Sequence, residues 1–244
     1  MGHTLSEEGI NYSPEKREVV FNIKKSTLEK HLKSFIGCAE YFHEHIRNYS
    51  TVMRPLHQMI KKYEKNRKLV WTPEGEEAFE LIREAIRSCP TLFFLDAYGK
   101  IVMETDASDY GIGAYLYQIV HGKHKPVAFM SKALTGSEAN WSTIEKECYA
   151  IVYAFKKMEY LIRDLKFTVR TDHKNLTYMN DSLCPKVRRW KLLISEYDFD
   201  IEYIPGPENI IADAFSRLLT VEDPHNGRVC NTNRQIQNNS GYPQ

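Results

Sequence analysis

The sequence predicts a mixed α/β fold: a five-stranded sheet flanked by helices, preceded by a small helical module. Two observations predict it. Between residues 27 and 87 apolar residues recur at helical spacing, as in Leu28, Leu32, Phe35 and Ile36. Beyond residue 92 the pattern changes to short alternating segments. Strand-like runs at 101–105, 113–118 and 126–131 follow one another, and then helix and strand patterns take turns. Strands in succession followed by helix–strand–helix–strand describe a mixed sheet with helices on its faces.

In chain order, residues 1–10 read as a short hairpin turning at Ser6-Glu-Glu-Gly9, and 16–25 as a strand or short helix. A helix follows from Ser26 or Thr27, and its apolar face continues through Tyr41, Phe42, His45 and Ile46. Pro55 opens a further helical turn. Thr72 caps a helix that has Pro73 at its first position and glutamates in its first turn, and Ser88-Cys-Pro90 ends it. A strand at 92–95 precedes the alternating runs, a long helix is expected over 136–162, and a strand over 167–172. A short helix carrying His173, Asn175, Leu176 and Tyr178 comes next, then a helix over 185–197, a strand over 199–204 and a last helix over 208–219. Residues 221–244 are polar and rich in Asn and Gln, which predicts a disordered tail or linker.

The 244 residues are 42% hydrophobic and 27% charged with net charge +1, a globular composition that excludes a strongly basic tail-type nucleic-acid binder but permits local basic patches. The five cysteines form no C-x-x-C pair and have no histidine at zinc spacing, so reduced intracellular thiols are expected. With no charged-then-apolar leader and no long apolar run, neither export nor membrane insertion is expected. Before Asp96 there is not one aspartate. Carboxylate-metal polymerase chemistry rests on an aspartate pair, so this part is not expected to be a self-sufficient polymerase.

Four carboxylates stand out. Asp106 ends the strand Ile101–Thr105 beside the turn Ala-Ser-Asp-Tyr-Gly, where it serves either as a turn cap or as a metal ligand. Asp172 ends the strand Phe-Thr-Val-Arg-Thr-Asp, and a helical crossover would place both acids at one sheet end. On the long helix Glu147 falls about 60° from the apolar centre, inside the buried arc, whereas Glu145 falls on the solvent side. A glutamate in such an arc is costly unless a charged partner receives it; otherwise its head reaches water at the edge. Asp213 stands among Ile210, Ile211, Ala212, Ala214 and Phe215. Four carboxylates without a His or Cys cluster suit a hard cation, Mg²⁺ or Mn²⁺. Two such ions about 3.5–4 Å apart are the usual arrangement for in-line displacement at a phosphodiester.

The motifs that hold these acids are Thr105-Asp-Ala-Ser-Asp-Tyr-Gly-Ile-Gly-Ala114, Pro126-Val-Ala-Phe-Met-Ser-Lys132, Glu145-Lys-Glu-Cys-Tyr-Ala150, Arg170-Thr-Asp-His-Lys-Asn-Leu176, Arg189-Trp190 and Tyr203-Ile-Pro-Gly-Pro-Glu-Asn-Ile-Ile-Ala-Asp-Ala-Phe-Ser-Arg217. In order and spacing they resemble the RNase H domain of Ty3/gypsy-type retrotransposon reverse transcriptases over about 92–218. The resemblance implies an RNase H-like sheet in which Asp106, Glu147, Asp172 and Asp213 bind two Mg²⁺ or Mn²⁺ ions and hydrolyse the RNA strand of an RNA–DNA hybrid, leaving a 3′ hydroxyl. It places Tyr203 in a substrate loop and leaves Glu104 and Asp109 without a catalytic part. Such a hybrid is readable through 2′-hydroxyls and backbone. Lys186, Arg188, Arg189 and Lys191 around Trp190 could follow phosphates, or could form an ordinary solvated helix face; Arg170, His173, Asn175 and Lys174 are further substrate-side candidates.

Earlier residues extend the resemblance: 1–25 to the end of the polymerase palm with its primer-grip hairpin, and 26–91 to thumb or connection helices. The expected organisation is therefore 1–25, 26–91, an RNase H-like unit at 92–220 and a tail at 221–244. Fingers, palm aspartates, zinc finger and integrase are missing, so the chain reads as part of a polyprotein, with the missing polymerase palm and fingers as expected partners. The expected location is intracellular, in a cytoplasmic retroelement particle or the nucleus. The competing expectation is a catalytically inactive or co-opted nucleic-acid-binding remnant. A carboxylate-metal phosphatase fits the Asp106 strand alone but not the ordered motifs.

Overall fold

The computed structural model describes residues 3–63, 68–96, 98–172 and 184–205. The expected helices around 173–183 and 208–219 and the tail, with His173, Lys174, Asn175 and Asp213, lie outside these residues.

The N-terminal part opens with a hairpin of β1 (His3–Leu5) and β2 (Gly9–Tyr12). Helix α1 (Pro14–Phe21) settles the ambiguity at 16–25: Pro14 at its first turn and the Ser13 side chain at its N-cap favour a helix. Then come α2 (Glu29–Glu40), a 3₁₀ turn (His43–His45), α3 (Tyr49–Lys62) and α4 (Pro73–Arg87). Pro55 lies within α3 and does not start a helix; Thr72 caps α4 as expected. Phe35, Met53, Leu56, Phe79 and Ile82 are among the fully buried residues of this module's core. The short strand β3 (Leu92–Phe93) pairs with β2, so residues 92–93 complete the small N-terminal sheet and do not enter the larger one.

The larger sheet contains β4 (Lys100–Ala107), β5 (Gly111–Val120), β6 (Lys123–Ala133), β7 (Phe167–Thr171) and β8 (Phe199–Tyr203) in the order β6-β5-β4-β7-β8. The first three strands form an antiparallel meander, while β7 joins β4, and β8 joins β7, in parallel. The crossover to β7 is α5 (Thr143–Ile162); it begins seven residues later than the sequence pattern suggests, because a 3₁₀ turn (Gly136–Asn140) comes first and Ser142 with Glu145 forms a capping box. Helix α6 (Pro185–Ile194) leads to β8. Ile101 and Met103 of β4, Leu116 of β5 and Val169 of β7 pack on Cys148, Ile151, Phe155 and Met158 of α5, so one sheet face is a continuous apolar layer. The opposite face receives the 3₁₀ turn at His43–His45 and the start of α3.

Candidate active site

The strand pairing brings the predicted acids together. Glu104 of β4 lies beside Arg170 of β7 in a parallel ladder, so two residues further on Asp106 and Asp172 lie level at the same sheet end. Strand alternation directs both toward the face opposite α5. Glu147 arrives from α5 and is only 4% exposed. Its Oε2 has no hydrogen-bond partner among the described residues. Burial, together with the charges of Asp172 and Asp106, pushes the Glu147 carboxyl up to about 9, partly offset by the Ala107 backbone N–H. Burial and Asp172 likewise raise Asp106, against the opposing influence of Arg47, the Ala107 N–H and the Asn48 side chain.

Asp106 and Glu147, both raised by burial and by the neighbouring Asp172, one of them with an orphaned buried oxygen, fit a hard divalent cation: such an ion would offset the repulsion and satisfy the bare carboxylate. Among the described residues no set of three His, Cys, Asp or Glu side chains is drawn together closely enough to form a finished cage. Asp213, the fourth expected ligand, lies outside them.

The neighbouring acids have other partners. Asp109 is exposed and pairs with Lys146 at 2.8 Å, and Glu145 pairs with Lys186 at 2.8 Å. The Lys186 and Ser142 contacts hold the Glu145 carboxyl down at about 2. Glu104, 5% exposed, binds Arg47 Nη1 at 3.3 Å and accepts a 2.8 Å hydrogen bond from the Tyr117 hydroxyl. Tyr117 accepts in turn from Arg170 Nη1 at 3.0 Å, and Arg170 Nε reaches Glu202 at 2.9 Å.

Of the substrate-side residues, Tyr203 pairs with Thr171 at the end of β8, one position from Asp172, and is half-exposed. Arg188 and Arg189 are exposed on α6. The Trp190 ring is packed against Trp141 and Tyr149 at 5.3 and 5.4 Å, so it braces α6 on α5. His173 and Asn175 lie outside the described residues.

Sequence reasoning missed Arg47 and Asn48, which the helical module inserts beside Glu104 and Asp106. The available signal was Gly113 in a strand interior, since glycine there marks a site where other atoms approach closely.

Known proteins agree with this architecture. Residues 96–197 match the family described as the RNase H-like domain found in reverse transcriptase. The chain is 35% identical over 229 residues to the retrovirus-related Pol polyprotein from transposon 297 of Drosophila melanogaster, covering 92% of this chain and 21% of that protein. It is 32% identical over 231 residues to the transposon Tf2-3 polyprotein of Schizosaccharomyces pombe, covering 92% of this chain and 17% of that one. The chain thus spans about a fifth of the length of these relatives. Its fold is similar to the foamy viral protease-reverse transcriptase in complex with RNA/DNA hybrid, with a TM-score of 0.64 at 21% identity, covering 86% of this chain and 30% of that one. A second foamy viral structure, in complex with double-stranded DNA, gives a TM-score of 0.66 at 21% identity over 84% of this chain and 37% of that one. Residues 96–197 thus match the RNase H-like domain found in reverse transcriptase, and most of the chain is similar to a segment of transposon polyproteins.

Proposed function

We propose that this chain is the C-terminal, ribonuclease H part of a retroelement reverse transcriptase, which hydrolyses the RNA strand of RNA–DNA hybrids endonucleolytically. The observation that carries the proposal is the level register of β4 and β7 that brings Asp106 and Asp172 to one sheet end, with the orphaned, buried Glu147 of α5 within reach of both charges. Asp106, Glu147, Asp172 and Asp213 would hold two Mg²⁺ or Mn²⁺ ions; when bound, such ions lower the pKa of water and stabilise the leaving oxygen of a phosphodiester. The protein's own part is to gather the acids where their repulsion favours a cation, and to seat the hybrid. Tyr203, next to Asp172, and the exposed Arg188 and Arg189 would contact sugar and phosphate. Arg170, already bound to Glu202 and Tyr117, shapes the sheet face from which Asp172 projects. The similarity to a reverse transcriptase structure holding RNA/DNA hybrid supports the substrate class. In the proposed division, residues 26–91 act as a thumb-like module of the same polyprotein, and the missing palm and fingers are partners.

The test is cleavage of a hybrid labelled on its RNA strand, with Asp106→Asn as control. Metal-dependent cleavage of RNA by the wild type alone is expected. Equal cleavage by both proteins, or hybrid binding without cleavage, contradicts the proposal; the second result is the signature of an inactive binding remnant.

A further inference from the structure

The start of α3 lies across two rungs of the larger sheet. One rung is Asp106–Gly113–Ser131, set by the β4–β5 and β5–β6 pairings; the rung beside it is Glu104–Tyr115–Phe129. Arg47 takes the second rung, bonding Glu104 and standing over the Tyr115 ring at 5.4 Å. Ser50 takes the first: its backbone N–H donates to Ser131 Oγ at 2.8 Å, and the two hydroxyls are bonded as well.

Asn48 lies between them. It occupies the N-cap position of α3, yet its side chain makes no cap hydrogen bond, and its backbone is left-handed with φ of 51°. An N-cap asparagine normally uses its side chain to satisfy the free N–H groups of its own helix. Here that side chain is turned over β5, and a Cβ on Gly113 would stand 2.0 Å from Asn48 Oδ1, a distance no real contact tolerates. Gly113 is the strand partner of Asp106, and side-chain positions paired across a rung lie on one sheet face, so the Asn48 amide stands beside that acid.

We propose that Asn48 is a positioning residue for Asp106, seated in a notch that Gly113 leaves open, so that the helical module completes the carboxylate site of the sheet. This rests on the reading of Asp106 as a metal ligand. An amide seated beside the carboxyl group would limit its rotation and leave the other side for a cation. Arg47, anchored one residue earlier through Glu104, fixes the approach of the turn. The helical module thereby acts on the site through two side chains and not only as a neighbour in the chain.

The notch makes the proposal testable by a mutant cycle. Asn48→Gly removes the side chain but keeps a residue that accepts the left-handed backbone. Gly113→Ala keeps Asn48 but fills its seat. Mn²⁺ binding to the full chain, followed by the loss of free-ion electron spin resonance signal, reports the site without turnover, and thermal unfolding checks that each variant folds. Losing one ordinary polar contact corresponds to about a two- to tenfold weakening, so each single variant is expected to bind Mn²⁺ that much more weakly. In the Asn48→Gly background, Gly113→Ala is expected to add less than about twofold, because the seat is already empty. Unchanged Mn²⁺ affinity in folded Asn48→Gly overturns the proposal, as does a full Gly113→Ala effect in the absence of Asn48. Wild type that binds Mn²⁺ no better than Asp106→Asn overturns the metal reading itself, and the positioning role with it.

Discussion

The two faces of the larger sheet are built from the same strands but held by different physics. Toward α5 the sheet presents Met103, Leu116 and Val169 to Phe155, Ile151 and Met158, a layer whose stability comes from apolar area removed from water. Toward the helical module it presents Glu104, Tyr115, Tyr117 and Arg170. There Tyr117 stacks between His124 and Tyr115, Tyr115 stacks on Phe129, and Arg47 closes a buried ion pair. An apolar face tolerates approximate fit, whereas a buried charged network is sound only when every member has its partner. The proposed reactive acids stand where these faces meet, with Glu147 coming from the first and Asp106 and Asp172 from the second.

Breaking each face in turn separates the two kinds of cohesion. Phe155→Ala removes a ring in contact with Phe167, Tyr197 and Phe199 and is expected to cost about 3–5 kcal/mol in chemical denaturation, with no second substitution that restores it simply. Arg47→Ala leaves Glu104 buried with the Tyr117 hydroxyl but without its cation, and about 3 kcal/mol is expected. That loss differs in kind: changing both members, as in Arg47→Met with Glu104→Leu, is expected to recover most of it. If the double variant is as unstable as Arg47→Ala, the network is not what holds this face.

A smaller effect sharpens the comparison through pH. His45, in the 3₁₀ turn that packs on β6, is 3% exposed, and burial lowers it to about 4 against the opposing influence of the Ile10 backbone. The folded state thus prefers neutral imidazole. Its stability is full above the unfolded pKa near 6.5 and is lost as pH falls toward 4, by up to about 3 kcal/mol. Thermal unfolding of wild type and His45→Phe between pH 7 and 4.5 checks this; the variant is expected to show the shallower decline. Smallest in stability is Glu147→Gln, which removes the cost of protonating a buried carboxyl held at about 9. Without metal it is expected to raise the melting temperature by about 5 °C. An unchanged or lowered melting temperature would show that Glu147 is already satisfied in the fold.

What was readable in the sequence divides along the same line. Period-2 and period-3.6 patterns revealed the strands and α5, because apolar burial leaves a periodic trace, and the position of Glu147 in that pattern betrayed a carboxylate among packing residues. The parallel placement of Asp106 and Asp172 followed from the crossover. The Arg47–Glu104 pair and the Asn48–Gly113 seat join residues more than fifty positions apart and carry no period, so Glu104 read as an ordinary strand residue. The pairing of Leu92–Phe93 with β2 was hidden for a related reason: two residues are too few to show which sheet they join.

The most direct test of the central claim is the rate of RNA-strand cleavage across a Mg²⁺ titration for wild type and for Asp106→Asn, Glu147→Gln, Asp172→Asn and Asp213→Asn. Acids that act as one site predict that every single variant loses about a thousandfold, roughly 4 kcal/mol of barrier, and that combining them adds little. Cleavage near the wild-type rate in any one of the four would contradict the account.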